Sequence, residues 1–214
     1  MLAWLRAYAA ATATPTSYNR ILDAATPGKA EKPSRPTTAT YRRVLSALWI
    51  LDPVPAWTPS DNRMHRFAQA PKHHLTDPAL AARLLGIDAD GLVRGDVRGA
   101  SAFHEATLFG RLFESLVTQS VRVYAQANEA RVGHLRSHVG GREIDLIVER
   151  ADGRVVAIET KLSPVVRDDD VKHLRWLRER IGDDLLDALV ITTGTEAYRR
   201  PDGIGVVPAA ALGP

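Results

Sequence analysis

A long helix followed at once by three short strands is the feature that most constrains the fold of this chain. An apolar stripe at helical spacing predicts a helix over 102–126. The three strands that should follow it lie over 131–139, 142–150 and 154–162. Gly140-Gly141 and Asp152-Gly153 suit tight hairpin turns between successive strands. The order predicts an antiparallel meander that begins beside the long helix.

The remainder of the C-terminal half alternates helix and strand. A helix is predicted over 168–180, a buried strand over 185–193 and a final strand over 203–207. Asp168-Asp169-Asp170 begins that helix, where acidic side chains suit the helix dipole, and we expect no second metal site there. The complete order indicates an α/β fold, with a mixed sheet flanked by helices.

The N-terminal part has the pattern of a small helical module. Helices are expected over 2–12, from a Ser17 cap to Ala25, from a Thr37 or Thr38 cap to Trp49, and from an Asp77 cap to Leu85. The third helix should bury one face formed by Tyr41, Val44, Leu45, Leu48 and Trp49. Residues 52–57 contain two prolines, so they should run extended into a hairpin or wing that returns near 72–75.

The domain division follows from these patterns. Residues 86–99 carry four glycines and several charges, which indicates a mobile connection with a boundary near residue 98. We therefore expect a winged-helix-like module over 1–76, a connecting helix and linker over 77–99, and an α/β domain over 100–214.

Composition excludes several classes of protein. The chain has no cysteine, so it contains neither a disulfide framework nor a thiolate-held metal, as is compatible with a reducing cytoplasm. No apolar run approaches the roughly 20 residues that span a bilayer, and we expect a cytoplasmic protein. The net charge of +3 and the pI near 9.4 permit nucleic-acid binding.

Three carboxylates and a lysine form the candidate site. Glu159 and Lys161 alternate on one face of their strand, because strand side chains have a period of two. The hairpin at Asp152-Gly153 draws Asp145 alongside the end of that strand. Two carboxylates that approach each other are costly unless a cation or proton lies between them, and Mg²⁺ prefers such hard oxygen ligands. Lys161 would then orient or deprotonate a water, or neutralise charge on a phosphate.

Glu114 lies at the edge of the long helix's apolar stripe, where it would bind the metal or one of its waters. A second interpretation needs no metal at all. The E-x-K pattern is common on strands, and a cross-strand Asp–Lys ion pair stabilises a sheet by itself.

Three motifs carry a resemblance to a known superfamily. These are G-R-L-F-E-S-L-V (110–117), R-E-I-D-L-I-V (142–148) and V-V-A-I-E-T-K (155–161). They resemble the PD-(D/E)XK nuclease superfamily. The whole chain is similar to the C-terminal part of a prokaryotic AAA-type ATPase family, in which a winged helix precedes a nuclease-like domain of unassigned function. The segment T-x-x-Y-R-R-V-L-S-A-L-W-I-L-D (38–52) resembles that winged helix.

The resemblance implies a restriction-endonuclease-like fold that uses Mg²⁺ or Mn²⁺. Its helix glutamate falls on Glu114, its first metal aspartate on Asp145, and its (D/E)-x-K on Glu159 and Lys161. Ile144 stands where the superfamily's proline would be. The ATPase part is missing, and A-T-P-G-K-A (25–30) lacks the upstream glycine and the Ser or Thr of a P-loop, so no ATP site is expected.

Two hypotheses therefore stand. The first is a Mg²⁺-dependent nuclease acting on DNA, in which Arg136, Arg42 and Arg43 would contact nucleic acid. For these arginines, solvated strand and helix faces are the alternative. The second is a non-catalytic module of the same fold that binds nucleic acid or a partner, such as an ATPase supplied by another chain.

Overall fold

The computed structural model describes residues 1–28, 32–59, 69–94, 102–137 and 141–213, without the side chains of 92–94 and 102–107. Contacts between residues divide the chain into two compact units. The first comprises Met1–Val54 and Ala70–Leu116, and the second comprises Pro55–Gln69 and Val117–Pro214. In the described ranges, no helix combines the length and the apolar character needed to cross a membrane. The division into 1–76, 77–99 and 100–214 stays a prediction.

Helices make up most of the first unit. They are α1 (Leu2–Ala10), α2 (Tyr18–Ala25), α3 (Arg35–Ala47), α4 (Pro78–Leu84), α5 (Ala89–Arg94) and the first part of α6 (Ala102–Ala127). The predicted caps of α2 and α4 are confirmed: Ser17 Oγ accepts a hydrogen bond from the Arg20 amide, and Asp77 Oδ1 accepts one from Ala79. The helix α5 was not predicted, since 86–99 was expected to be an irregular connection. Residues 95–99 of that connection lie outside the described ranges.

The prediction for α3 is wrong at both ends. The helix begins at a Ser34 cap rather than at Thr37 or Thr38, because Pro36 fits the first helical turn. At the other end Trp49 takes φ 56°, and its amide bonds the Ser46 carbonyl while the Ile50 amide bonds that of Leu45. These two hydrogen bonds form a Schellman motif, which ends the helix and turns the chain away from the helix axis. Leu45 is buried, whereas the other apolar residues of the predicted face near this end are exposed, namely Val44, Leu48 and Trp49.

The extended segment after α3 returns as predicted. Leu51 forms a bridge with Leu75, and Val54 forms one with Lys72, both antiparallel. The winged-helix assignment of this module stays a prediction.

The second unit is built on a seven-stranded sheet in the described part of the chain. Its strands are β1 (Ala56–Trp57), β2 (Arg131–Arg136), β3 (Glu143–Glu149), β4 (Val155–Lys161), β5 (Leu185–Thr192), β6 (Tyr198–Arg199) and β7 (Gly205–Pro208). The order across the sheet is β1-β2-β3-β4-β5-β7-β6. The strands β2, β3 and β4 form the predicted antiparallel meander, whereas β4, β5 and β7 are parallel. The predicted mixed α/β class is confirmed.

The two outermost strands were not predicted. The strand β1 pairs in parallel with β2, and β6 pairs antiparallel with β7. The turn at Asp152-Gly153 is observed, with Gly153 at φ 84° and its amide bonded to the Arg150 carbonyl. The Gly140-Gly141 turn includes residues outside the described ranges.

One core covers the face of the sheet that carries the candidate site. A 3₁₀ turn over Asp168–Val171 leads into α7 (Lys172–Ile181). Leu174 and Leu177 of α7 are fully buried in one cluster with Ile147 of β3 and Ala157 of β4. Ile147 and Ala157 are partners across the β3–β4 ladder. The packing of α7 therefore fixes which side chains of β3 and β4 lie on its side of the sheet.

Candidate active site

The register of β3 and β4 places Asp145 and Glu159 at the same end of the two adjoining strands. Leu146 and Ile158 form the end pair of the β3–β4 ladder, so Asp145 and Glu159 are the next residue along each of the two strands. Glu159 is only 6% exposed, as expected on a strand that has neighbours on both sides. A buried carboxylate at the end of a central strand requires compensation from nearby groups.

Two hydrogen bonds from Thr160 stabilise the Asp145 carboxylate. The Thr160 amide and the Thr160 hydroxyl both donate to Asp145 Oδ2, each at 2.9 Å. Two donors on one oxygen stabilise the ionised carboxylate and fix its orientation. The strand that carries Glu159 therefore also holds Asp145 in position.

Lys161 forms ion pairs with two carboxylates. Its Nζ is 3.7 Å from Glu159 Oε2 and 3.9 Å from Asp170 Oδ1. The contact with Glu159 follows from alternation along β4, because the two residues are i and i+2 on one strand. Asp170 comes from the 3₁₀ turn before α7, and sequence reasoning assigned it to a helix dipole instead of to this site. No local pattern in the sequence could have connected it to Lys161.

The donor set agrees in type with Mg²⁺. Asp145 and Glu159 offer hard oxygen ligands, and Mg²⁺ is commonly held by one or two carboxylates together with waters. Within the described ranges, no three His, Asp or Glu side chains are grouped as they would be for an all-protein metal cage. Thr160 and Lys161 already offset part of the negative charge, so charge crowding alone does not demand a cation.

Glu114 belongs to the first unit, and its contacts there are specific. Its Oε1 lies 2.6 Å from Nζ of Lys72, a lysine that is 1% exposed. The neighbouring Ser115 Oγ lies 3.2 Å from Nδ1 of the buried His74. Glu114 is therefore the counter-ion of a buried ammonium, a role that the sequence did not indicate. Its predicted role at a metal stays a prediction.

The three arginines proposed for nucleic-acid binding have different surroundings. Arg136 Nε lies 4.0 Å from Glu143 Oε2, at the start of the β2–β3 ladder. The guanidinium of Arg42 stacks over the Tyr18 ring at 3.9 Å, and Arg43 is exposed. A stacked guanidinium can still present its edges to a phosphate. Their contact with nucleic acid remains a prediction.

A separate ion network fixes the segment that precedes α7. Arg175 donates to Asp168 and Asp202, and Arg200 also reaches both carboxylates. The hydrogen bond from Arg175 is the main reason why the pKa of Asp168 is lowered. Asp168 therefore forms ion pairs with two arginines. The sequence had predicted only a favourable interaction of the acidic triplet with the helix dipole. The neighbouring Asp170 can then face Lys161 from an anchored turn.

The fold and the site define a mixed α/β protein with a carboxylate–lysine cluster at the end of a central strand. Residues 109–212 match a family model described as a domain of unknown function (DUF4143). Residues 1–91 match a second domain of unknown function (DUF8612). Asp145, Glu159, Lys161 and Asp170 all lie inside the first match, and Arg42 and Arg43 lie inside the second.

No curated protein matches the chain. A solved structure described as a refined half-complex from a tetradecameric assembly of Thermococcus gammatolerans McrB AAA+ hexamers with bound McrC is 11% identical. The alignment covers 97% of this chain and 69% of that one with a TM-score of 0.36, a value too low to support an argument about fold or function.

Proposed function

We propose that this chain is a metal-dependent phosphodiesterase of the PD-(D/E)XK nuclease type that acts on DNA. The observation that carries the proposal is that Asp145 and Glu159 lie at the same end of two adjoining strands, with Lys161 Nζ 3.7 Å from Glu159 Oε2. Two carboxylates with an ammonium beside them are groups that a metal-dependent phosphodiesterase can use. The motifs that carry these residues are also those that resemble the nuclease superfamily.

Asp145 and Glu159 would hold Mg²⁺ or Mn²⁺. When bound, such an ion supplies a Lewis acid for the phosphate and lowers the pKa of a coordinated water. Thr160 fixes the Asp145 carboxylate through two hydrogen bonds to Oδ2. Lys161, next to Glu159, would orient the attacking water or neutralise the charge that develops on the phosphate.

Three arginine side chains would bind a polyanionic substrate. The chain has a net charge of +3, and Arg136 is half-exposed on β2, in the same unit as the carboxylates. In the first unit, Arg42 and Arg43 follow each other on α3. We propose that these three residues contact the DNA backbone, because phosphate contacts from arginine position a duplex without reading its sequence.

Cleavage of supercoiled plasmid in Mg²⁺ or Mn²⁺ tests the proposal. The wild-type chain should nick or linearise the plasmid, and EDTA should stop it. Asp145→Ala and Lys161→Ala should each lose at least about 100-fold in rate, since each removes a group that contacts the reacting atoms. Lys172→Ala is a matched control, because Lys172 is an exposed lysine of α7 outside the site. Absence of metal-dependent cleavage, or equal cleavage by all variants, would sink the proposal.

A non-catalytic module of the same fold is the second candidate. Two observations favour it: Glu114 contacts Lys72, and the described ranges contain no three-ligand group. Such a module would bind nucleic acid or a partner ATPase. It predicts that the wild-type chain binds labelled duplex DNA or a partner without cutting DNA, and that Lys161→Ala binds equally well. Fluorescence anisotropy with a duplex, run beside the plasmid assay, separates the two candidates.

A further inference from the structure

Asp170 approaches the candidate site from an element that the strand motifs do not include. Its Oδ1 lies 3.9 Å from Lys161 Nζ, and Glu159 Oε2 lies 3.7 Å from the same nitrogen. Lys161 is one-third exposed, so its long side chain has room to adopt other rotamers. A lysine that contacts only Glu159 of its own strand would be held weakly, because a single ion pair seldom offsets the lost side-chain entropy.

The carboxylate of Asp170 is itself held in place. Its other oxygen, Oδ2, accepts a hydrogen bond of 2.8 Å from the Arg167 amide. The Asp170 amide in turn donates to the Arg167 carbonyl at 3.1 Å. These reciprocal bonds fix the first turn of the 3₁₀ segment, and the buried Val171 and Leu174 anchor the segment in the core. One oxygen of Asp170 is therefore used for the turn, and the other faces Lys161.

We infer that Asp170 is a positioning residue that holds the Lys161 ammonium against Glu159 in the conformation used at the active site. The effect of Asp170 on catalysis rests on the proposed function. The contact between Asp170 and Lys161 does not depend on it. Removal of a group that orients a metal ligand typically costs about 10- to 100-fold in activity, and we expect a loss of the same order when Asp170 no longer orients Lys161. The effect should fall on kcat rather than on KM, because Lys161 acts on the reacting groups and Asp170 does not bind the substrate.

The neighbouring acids provide matched controls for charge. Asp169 is exposed and precedes Asp170 directly, so Asp169→Asn removes the same charge from the same turn. Asp170→Asn keeps a side-chain oxygen that can accept the Arg167 hydrogen bond while it removes the charge that faces Lys161. Asp170→Glu restores the charge on a side chain that is one methylene longer. The pair is partly exposed, so none of these variants should unfold the chain.

The experiment compares the wild type with Asp169→Asn, Asp170→Asn and Asp170→Glu by two measurements. The first is kcat and KM for plasmid cleavage. The second is the side-chain ¹H–¹³C NMR signal of Lys161 Cε without metal, assigned from its absence in Lys161→Arg. We expect Asp170→Asn to lower kcat by about 10- to 100-fold with KM within two-fold, and to shift and sharpen the Lys161 signal. Asp169→Asn should match the wild type in both measurements, and Asp170→Glu should recover part of kcat.

The two measurements separate this inference from the proposed function. If the wild-type chain does not cut DNA, the proposed function fails, and the NMR signal alone decides whether Asp170 holds Lys161. A Lys161 signal that is the same in Asp170→Asn and Asp169→Asn overturns the inference. A changed signal with equal kcat in those two variants overturns the catalytic consequence of the contact.

Discussion

Nζ of Lys72 lies 2.6 Å from Oε1 of Glu114, and the two residues are 42 positions apart in the chain. Lys72 is 1% exposed and the Glu114 side chain 12%, so the ion pair is almost completely removed from water. Beside it, Ser115 contacts His74, and consecutive residues of α6 thereby bind alternate residues of the extended segment. The first unit therefore contains a structural reason for a glutamate at position 114.

Removal of that glutamate should destabilise the chain. Glu114→Ala removes the carboxylate that lies 2.6 Å from the buried Lys72 ammonium, and breaking a buried ion pair in this way typically costs about 3–5 kcal/mol. The double variant Lys72→Met/Glu114→Ala removes both charges and should recover much of the loss. Urea unfolding of wild type, both single variants and the double variant measures the coupling energy. Additive effects of the two single substitutions would contradict the role of Glu114 as counter-ion.

The hydroxyl of Thr160 should matter for the proposed activity more than for stability. Thr160→Val removes one of the two donors to Asp145 Oδ2 and keeps the backbone amide that supplies the other. We expect metal-dependent cleavage to fall by about 10-fold, since partners of metal ligands usually tune activity by this order. Thr160→Ser keeps the hydroxyl and should retain most of the rate. Equal rates in the two variants would exclude a role for this hydrogen bond.

The stability of the chain should decrease as pH falls below neutrality because of His73. Burial is the main reason why the pKa of His73 is lowered, and its Nε2 lies 2.6 Å from the Thr16 carbonyl oxygen. In the unfolded chain this histidine takes up a proton near its ordinary pKa of about 6.5, whereas the folded chain resists protonation. Below that pH the unfolded state therefore binds more protons than the folded state does. The free energy of unfolding consequently decreases as pH falls.

A substitution isolates this contribution from those of the other histidines, since the chain has seven in total. His73→Phe keeps an aromatic ring between Tyr8 and Tyr18, whose ring centroids both lie 4.9 Å from that of His73. The variant should be less stable at pH 8, because the hydrogen bond to Thr16 is lost. Its free energy of unfolding should depend less steeply on pH between about 7 and 5.5 than that of the wild type. Parallel pH profiles would show that His73 does not contribute.

Gly133 should be required for the pairing of β1 with β2. A Cβ atom at this position would lie 2.9 Å from Trp57 Cβ and 3.3 Å from the Pro55 carbonyl oxygen, so the backbone of β1 would have to move. We expect Gly133→Ala to destabilise the second unit by about 1–3 kcal/mol. Gly213→Ala is the control, because a Cβ there meets nothing within 4 Å. Thermal unfolding followed by tryptophan fluorescence measures the difference, and equal midpoints would contradict the close approach.

Local patterns in the sequence determined the elements that carry the candidate site. Alternation along β4 was enough to predict that Glu159 and Lys161 share a face, and the turn at Asp152-Gly153 was enough to predict the β3–β4 hairpin. The caps at Ser17 and Asp77 were equally local. These features depend on residues within a few positions of each other, where periodicity and turn chemistry act directly.

Only the tertiary structure decided the rest. The strands β1 and β6 have two residues each, too few to show a period, and they exist because a longer strand offers them a partner. Val44 and Leu48 are exposed on a helix face that the sequence alone marked as core. The contacts of Lys72 with Glu114 and of Asp170 with Lys161 join residues that lie on different elements of the fold. Their geometry depends on how whole elements pack, and that information is absent from any single window of the sequence.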